Sequence, residues 1–307
     1  MNFTNEKSNE KLLLFIHDKK RLQNESDDPI KAVVHFSSDE SFEPNKMCWF
    51  VNSTVTLCHS IGSLVGSVTK NVLLENYKLT VYQISSVTVC VGCNRSSGLA
   101  VRLQDLLRSF INFLCFKFCS VEMMIEETKV EVKLNFDLHE VISFIKDFEY
   151  ISTTSSNFLK TKLLLEHVLT INSDFGCVLM KDGKVLNSTF PIELTILVAI
   201  FKNTSSFDSV TSSLNAFLSK KWFDLYYGLY LNRTRLRRKS TKSTPATLSS
   251  TEIKPDSDAV SVSIVSITKK NYSIIILRNT FQTSDGTDEK IEQIKKYFNL
   301  YIENNFY

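Results

Sequence analysis

Apolar positions along this chain follow two rhythms, and their order predicts the elements. Lys11–His17 and Lys31–Ser37 are short apolar runs, and their length and β-branched and aromatic content predict buried strands. Pro44–Thr69 is helix-like, with Phe50, Leu57, Ile61, Leu64 and Val68 spaced along one face. Lys78–Ile84 and Val87–Cys93 flank Ser85-Ser86 and read as a hairpin. Strand, strand, helix, strand, strand, helix is the grammar of a mainly antiparallel sheet that carries helices on its faces.

Leu99–Phe118 is the strongest helical segment, with eleven Leu, Val, Ile or Phe residues. Its polar positions Arg102, Asp105, Ser109 and Asn112 mark one wet face. Burying each aliphatic or aromatic side chain contributes about 1.5–3 kcal/mol, so the segment is expected against the sheet and against a partner. Together with the Trp49 region it offers more apolar surface than one sheet can cover, which predicts poor solubility for the isolated chain.

Two amphipathic helices follow, one aligning Leu138, Val141, Ile142 and Ile145, the other Leu164, Leu165, Val168 and Leu169. The grammar then restarts. Phe175–Met180 and Lys184–Ser188 flank Lys181-Asp182-Gly183, where glycine accepts the positive φ of a tight turn. Pro191 suits the first turn of a helix reaching Phe201. Asp208–Lys221 reads as helical and Trp222–Leu231 as strand-like. Val260–Thr268 and Tyr272–Asn279 predict a further hairpin, and Asp288–Glu303 a last helix.

The expected architecture is α+β, divided as follows: a first domain over 1–130, a helical connection over 131–174, a second domain over 175–231, a linker over 232–258, and a short hairpin–helix unit over 259–307. The linker reading rests on composition. From Lys239 to Thr251 eight residues are Ser or Thr, and no apolar periodicity is visible.

Charge sharpens that picture. The net charge of +3 is unevenly spread, because Arg233, Arg235, Arg237, Arg238, Lys239 and Lys242 cluster without an acid; removing those six leaves −3 for the rest. A solvated linker is the first reading of this run. Attraction to an anionic membrane surface is the second, at about 1 kcal/mol per basic residue near a charged leaflet. Nucleic acid is disfavoured as a partner, since no aromatic residue is interleaved with the charges.

No apolar run reaches the roughly 18 residues of a membrane span, and Met1–Glu10 is too polar for a signal peptide, so a cytoplasmic chain is expected. Eight Asn-x-Ser/Thr triplets then reflect composition.

Candidate chemistry is sparse. Cys90-Val-Gly-Cys93 lacks the second pair of a zinc site and ends a strand where a redox pair opens a helix. The five His are scattered, and His139-Glu140 lacks the second His of a zincin motif. No phosphate-binding glycine loop and no nucleophile elbow occurs, so no catalytic residue, metal or cofactor is expected. Surfaces are expected to carry the function instead. Trp49, Phe50, Leu57 and Ile61 are the candidate contacts with a partner or GTPase; Trp49 and Phe50 fit a core equally well. Gly62 and Gly66 make a small-residue stripe, for packing on the sheet or for a helix–helix seam.

Three segments carry a family resemblance: Leu12–Asp18 (LLLFIHD), Val101–Phe113 (VRLQDLLRSFINF) and Phe175–Ser188 (FGCVLMKDGKVLNS). In order and apolar pattern the chain resembles the Hermansky–Pudlak syndrome protein four-like subunits. These belong to the superfamily of the Ccz subunit of the endosomal Mon–Ccz complex, Inturned and Fuzzy. The resemblance implies tandem longin-like domains, in which antiparallel sheets are sandwiched by helices. It implies work as half of a heterodimeric guanine-nucleotide exchange factor for a Rab GTPase, in vesicle trafficking and lysosome-related organelle biogenesis. The implied partner is a second longin-domain subunit, Hermansky–Pudlak syndrome protein one-like, and the implied place is the cytoplasm, with peripheral recruitment to endosomal or lysosome-related membranes. A longin-type adaptor or tether without exchange activity is the alternative. The chain departs from its relatives in being shorter, and in continuing with Leu-Cys-Phe-Lys-Phe after Phe113.

Overall fold

The computed structural model describes residues 11–24, 26–66, 70–129, 137–148, 151, 154–171, 176–204, 211–219, 259–279 and 287–306. The fold is α+β, with two five-stranded antiparallel sheets and helices packed on them. The chain forms two compact units, Met1–Asn112 with Ile125–Asp147, and Phe113–Met124 with Phe148–Tyr307.

In the first unit β1 (Leu12–Asp18) and β2 (Val33–Ser38) lead into α1 (Pro44–Val65). Then come β3 (Asn71–Leu73), β4 (Tyr77–Ile84) and β5 (Val87–Asn94), followed by α2 (Leu103–Phe118), α3 (Val121–Lys129) and α4 (Leu138–Lys146). The sheet order is β2-β1-β5-β4-β3. β1 lies between two neighbours and every one of its residues is buried, which is why it reads as an unbroken apolar run. Ser85, with φ 51°, makes the turn that pairs Ile84 with Val87. Pro44 opens α1, and Gly66, with φ 68°, closes it by donating its N–H to the Gly62 carbonyl. A β-carbon at Gly66 would meet nothing within 4 Å, so the backbone conformation and not close packing calls for glycine there.

The second unit repeats the plan. After α5 (Ser155–Ile171) come β6 (Gly176–Lys181), β7 (Lys184–Ser188), α6 (Ile192–Thr204), β8 (Thr211–Ser219), β9 (Ala259–Lys269), β10 (Tyr272–Asn279) and α7 (Thr287–Phe306). Its sheet order is β7-β6-β10-β9-β8, so each sheet, counted from its own first strand, runs 2-1-5-4-3. Asp182 and Gly183 both take positive φ at the β6–β7 turn, as a two-residue hairpin turn requires. Leu164, Leu165 and Val168 of α5 share one core with Ile291, Ile294, Phe298 and Ile302 of α7 and with Cys177, Leu179, Ile274 and Ile276 of the sheet.

Several expectations change. The hairpin and helix of 259–307 are no separate third unit: β10 pairs with β6 from Tyr272↔Lys181 to Leu277↔Gly176, placing β9, β10 and α7 inside the second domain. Such pairing spans most of the domain's sequence and leaves no local trace. The expected helical connection over 131–174 divides, with α4 in the first unit and α5 in the second. Asp208–Lys221 holds strand β8 where a helix was expected; its nine residues pair with β9 from Thr211↔Ile267 to Ser219↔Ala259, and that pairing overrides local helical preference. The helix expected over Leu99–Phe118 begins with a 3-10 turn at Gly98–Val101 and continues as α2. Its apolar side chains from Leu103 to Phe118 are buried within this chain, so α2 leaves no large bare face for a partner. The strand-like segment 222–231 and the expected disordered linker 232–258 lie outside the described residues.

Candidate functional site

α1 carries most of the expected contact residues, and it turns an unexpected side to solvent. Its buried positions are Val51, Thr54, Val55 and Cys58, which pack over Leu13, Phe15, Val81 and Cys90 of the sheet. Yet its more apolar stripe, Leu57, Ile61 and Leu64, is exposed, and Trp49 is 72% exposed. Surface helices normally point the apolar stripe inward and carry charge outside. Here, from Met47 to Gly66, no Asp, Glu, Lys or Arg occurs. A half-exposed helical stretch without charge has the composition of an interface core, which is depleted in charged residues and enriched in aromatic ones.

Trp49 and Phe50 take opposite roles. Phe50 is half-buried in a ring cluster, 6.5 Å from Phe15, 5.9 Å from Phe42 and 6.1 Å from Tyr77. It is therefore a core residue and leaves the contact set. Tyr77 donates to Glu40, which also holds Lys11 at 2.8 Å. Burial, with the Glu40 carboxylate, pushes the Tyr77 hydroxyl well above its ordinary pKa, while Lys11 and Tyr77 hold Glu40 below its own. This network ties β4 to the segment just before α1 and so fixes where the helix starts. Leu64, 86% exposed, and Val65 join Trp49, Leu57 and Ile61 on the bare surface. The missing charge over twenty residues was the signal in the sequence that marks the whole face.

The second unit shows what such a helix looks like when covered. α6 follows the second strand of its sheet as α1 does, and Pro191 precedes it as Pro44 opens α1. Counting from the two prolines, Trp49 corresponds to Ile196, which is half-buried, and Ser53 to Ile200. Ile200 is fully buried, as are Leu197, Val198, Ala199 and Phe201. Part of that cover is the segment Phe113–Met124 and its immediate end of α2: the Phe116 ring stands 5.7 Å from Phe201, with the Lys117 ammonium 5.6 Å from the same ring. At the position of the half-buried Ile196, α1 carries Trp49, which is largely exposed.

The cysteine and histidine candidates do not converge. Cys90 and Cys93 lie on one strand three residues apart and so on opposite faces of the sheet, which prevents both from binding one ion. Cys90 faces Cys58 in the core, and burial raises the pKa of both thiols. Burial likewise pushes Cys115 up to about 11 and Cys177 up to about 12, the opposite of an activated thiol. Cys119, with φ 72°, ends α2 by donating its N–H to the Cys115 carbonyl. Among the described residues no group of three or more metal-ligating side chains occurs, and no helix is long and apolar enough to cross a membrane. The basic candidates Arg233, Arg235, Arg237, Arg238 and Lys239 lie outside the described residues. Compared with protein-family models and with curated proteins, the chain matches none.

Proposed function

We propose that this chain is a subunit of a heterodimeric guanine-nucleotide exchange factor for a Rab GTPase, acting in vesicle trafficking, and that the bare face of α1 is where it meets its second longin-domain subunit. The observation that carries the reading is the exposed, charge-free set Trp49, Leu57, Ile61, Leu64 and Val65 on α1. The duplicated 2-1-5-4-3 sheet order supports tandem longin-like domains, and the resemblance of Leu12–Asp18, Val101–Phe113 and Phe175–Ser188 supplies the exchange activity. An exchange factor needs no nucleophile or proton donor of its own. It binds the nucleotide-free GTPase better than the loaded form and thereby shifts populations toward release. The basic run 233–239 adds attraction to anionic membranes, where the GTPase is anchored.

Co-expression with a Hermansky–Pudlak syndrome protein one-like subunit, followed by nucleotide release across a Rab panel, tests the proposal. Acceleration of release from one Rab is the expected result. Stable binding to a GTP-loaded Rab without acceleration would replace exchange by tethering.

A further inference from the structure

Lysines gather at the turn end of the second sheet. Lys181 of β6 stands opposite Lys184 of β7 and opposite Tyr272 of β10, and Tyr272 stands opposite Lys269 of β9. Cross-strand partners share a face, so four strands contribute one rung that holds three Lys and no acid. Like charges directly opposite each other destabilise a sheet, and Lys181 opposes Lys184. Among the described residues the ion pair of this rung is Lys269 with Glu303 at 2.9 Å, while the Lys181 ammonium lies 5.3 Å from the centre of the Tyr272 ring. Lys270 follows in the β9–β10 turn, which is latched to the β6–β7 turn. There the Asp182 N–H donates to the Asn271 carbonyl at 2.9 Å, and the Asn271 side-chain amide donates to the Asp182 carboxylate at 3.2 Å.

The last turns of α7 and the first turns of α5 meet at the same end. The Phe306 ring stands 5.1 Å from that of Tyr272. The Tyr301 hydroxyl donates to the Lys160 carbonyl at 2.8 Å, and the Lys160 ammonium donates to the Asn305 carbonyl at 3.4 Å. Here α5 turns apolar side chains to solvent. Leu159 and Leu163, one turn apart and so on one side of the helix, are 58% and 59% exposed. Lys160 and Lys162 are interleaved with them, and no acid precedes Glu166 in α5. Six lysines (160, 162, 181, 184, 269 and 270) against Asp182 and Glu303 leave this surface a net charge of +4. Basic side chains among bare leucines match an anionic bilayer, whose headgroups take the ammonium groups and whose acyl boundary takes the apolar ones. A nucleic acid would take the charges and leave the leucines wet.

We propose that this end of the second domain docks on an anionic lipid membrane, with the lysines on the headgroups and Leu159 and Leu163 at the acyl boundary. The surface is separate from the basic run 233–239. It does not rest on the exchange reading, since a bilayer can be bound without any GTPase.

Vesicle pelleting of the full chain tests this, with Arg233, Arg235, Arg237 and Arg238 replaced by Ser so that the other basic run does not contribute. Vesicles of phosphatidylcholine with phosphatidylserine should pellet this chain, and phosphatidylcholine alone should not. Each lysine near a charged leaflet is worth roughly fivefold in affinity. Lys162→Gln, Lys184→Gln and Lys270→Gln together, three exposed positions, should therefore weaken binding at least about tenfold with the melting temperature retained. Added to the same chain, a Leu159→Trp reporter should gain fluorescence that bromine-labelled lipid chains quench, and heparin should leave its emission unshifted. Unchanged pelleting of the triple lysine variant, or a reporter that brominated lipid does not quench, would overturn the proposal. So would lysine-dependent binding to heparin without binding to vesicles, which would give the surface to a soluble polyanion such as a nucleic acid.

Discussion

Ser219 pairs with Ala259 at the last rung of the β8–β9 ladder, so residues 220–258 leave and re-enter the second sheet at one point. The segment is an insertion between neighbouring strands, not a tether between two folded units. Trypsin should cut first at Arg237-Arg238, and the two fragments should stay together, because the β8–β9 and β6–β10 ladders both bridge the cut. Size-exclusion of the nicked chain in native buffer checks this. Elution of two separate fragments would restore an independent third unit.

Phe50→Ala should destabilise the chain by about 2 kcal/mol, roughly half the cost for a fully buried Phe, because the ring is half-buried against Phe15, Phe42 and Tyr77. Trp49→Ser should stay within about 0.5 kcal/mol, as expected of a surface change. Urea unfolding of both variants decides whether adjacent aromatic residues divide between core and contact face as the fold requires.

The division between these two residues shows what the sequence could and could not convey. Unbroken apolar runs, the Ser85-Ser86 and Asp182-Gly183 turns, and the prolines at 44 and 191 made most elements of both domains legible, because each is a local preference. The pairing of β10 with β6 was not, since it depends on residues about a hundred positions apart. Of the expected stripe on α1, Leu57, Ile61 and Leu64 share the exposed side, Phe50 packs in the core and Val68 lies outside the described residues; the direction of the stripe was not legible. Periodicity says that residues share a face, and only the sheet chooses which face it covers. For the same reason the rung of Lys184, Lys181 and Lys269 is invisible until the registers of four strands are known.

Acid should weaken the first unit before its carboxylates titrate. Burial lowers the pKa of His17 and of His35; for His35 the Asp137 carboxylate opposes this and His139 adds to it. The folded state thus binds these protons less readily than the unfolded chain, so stability rises with pH in this window. Their contribution is fully present above about pH 6.5 and is lost as pH falls toward the lowered folded values. Chemical unfolding between pH 7.5 and 5 should show that slope, and it should flatten in a His17→Asn, His35→Gln double variant. An unchanged slope would place the acid sensitivity elsewhere.

Replacing Arg233, Arg235, Arg237 and Arg238, which lie outside the described residues, with Ser removes four positive charges from the segment 220–258. Binding to anionic liposomes should fall and lose much of its salt dependence, because screening acts on the charges removed. Nucleotide release in solution should stay unchanged, and release from a liposome-anchored Rab should slow. Equal loss in both formats would put these arginines at a protein interface.

The face of α1 is the centre of the account, and one measurement addresses it directly. The triple variant Trp49→Ser, Leu57→Ser, Leu64→Ser is titrated against the second longin-domain subunit beside the unaltered chain, with circular dichroism confirming that both are folded. Loss of a buried aromatic anchor from an interface costs at least about 2 kcal/mol, so Kd should rise thirtyfold or more. An unchanged Kd would contradict the claim that this uncharged, solvent-facing stripe is the surface through which the chain works.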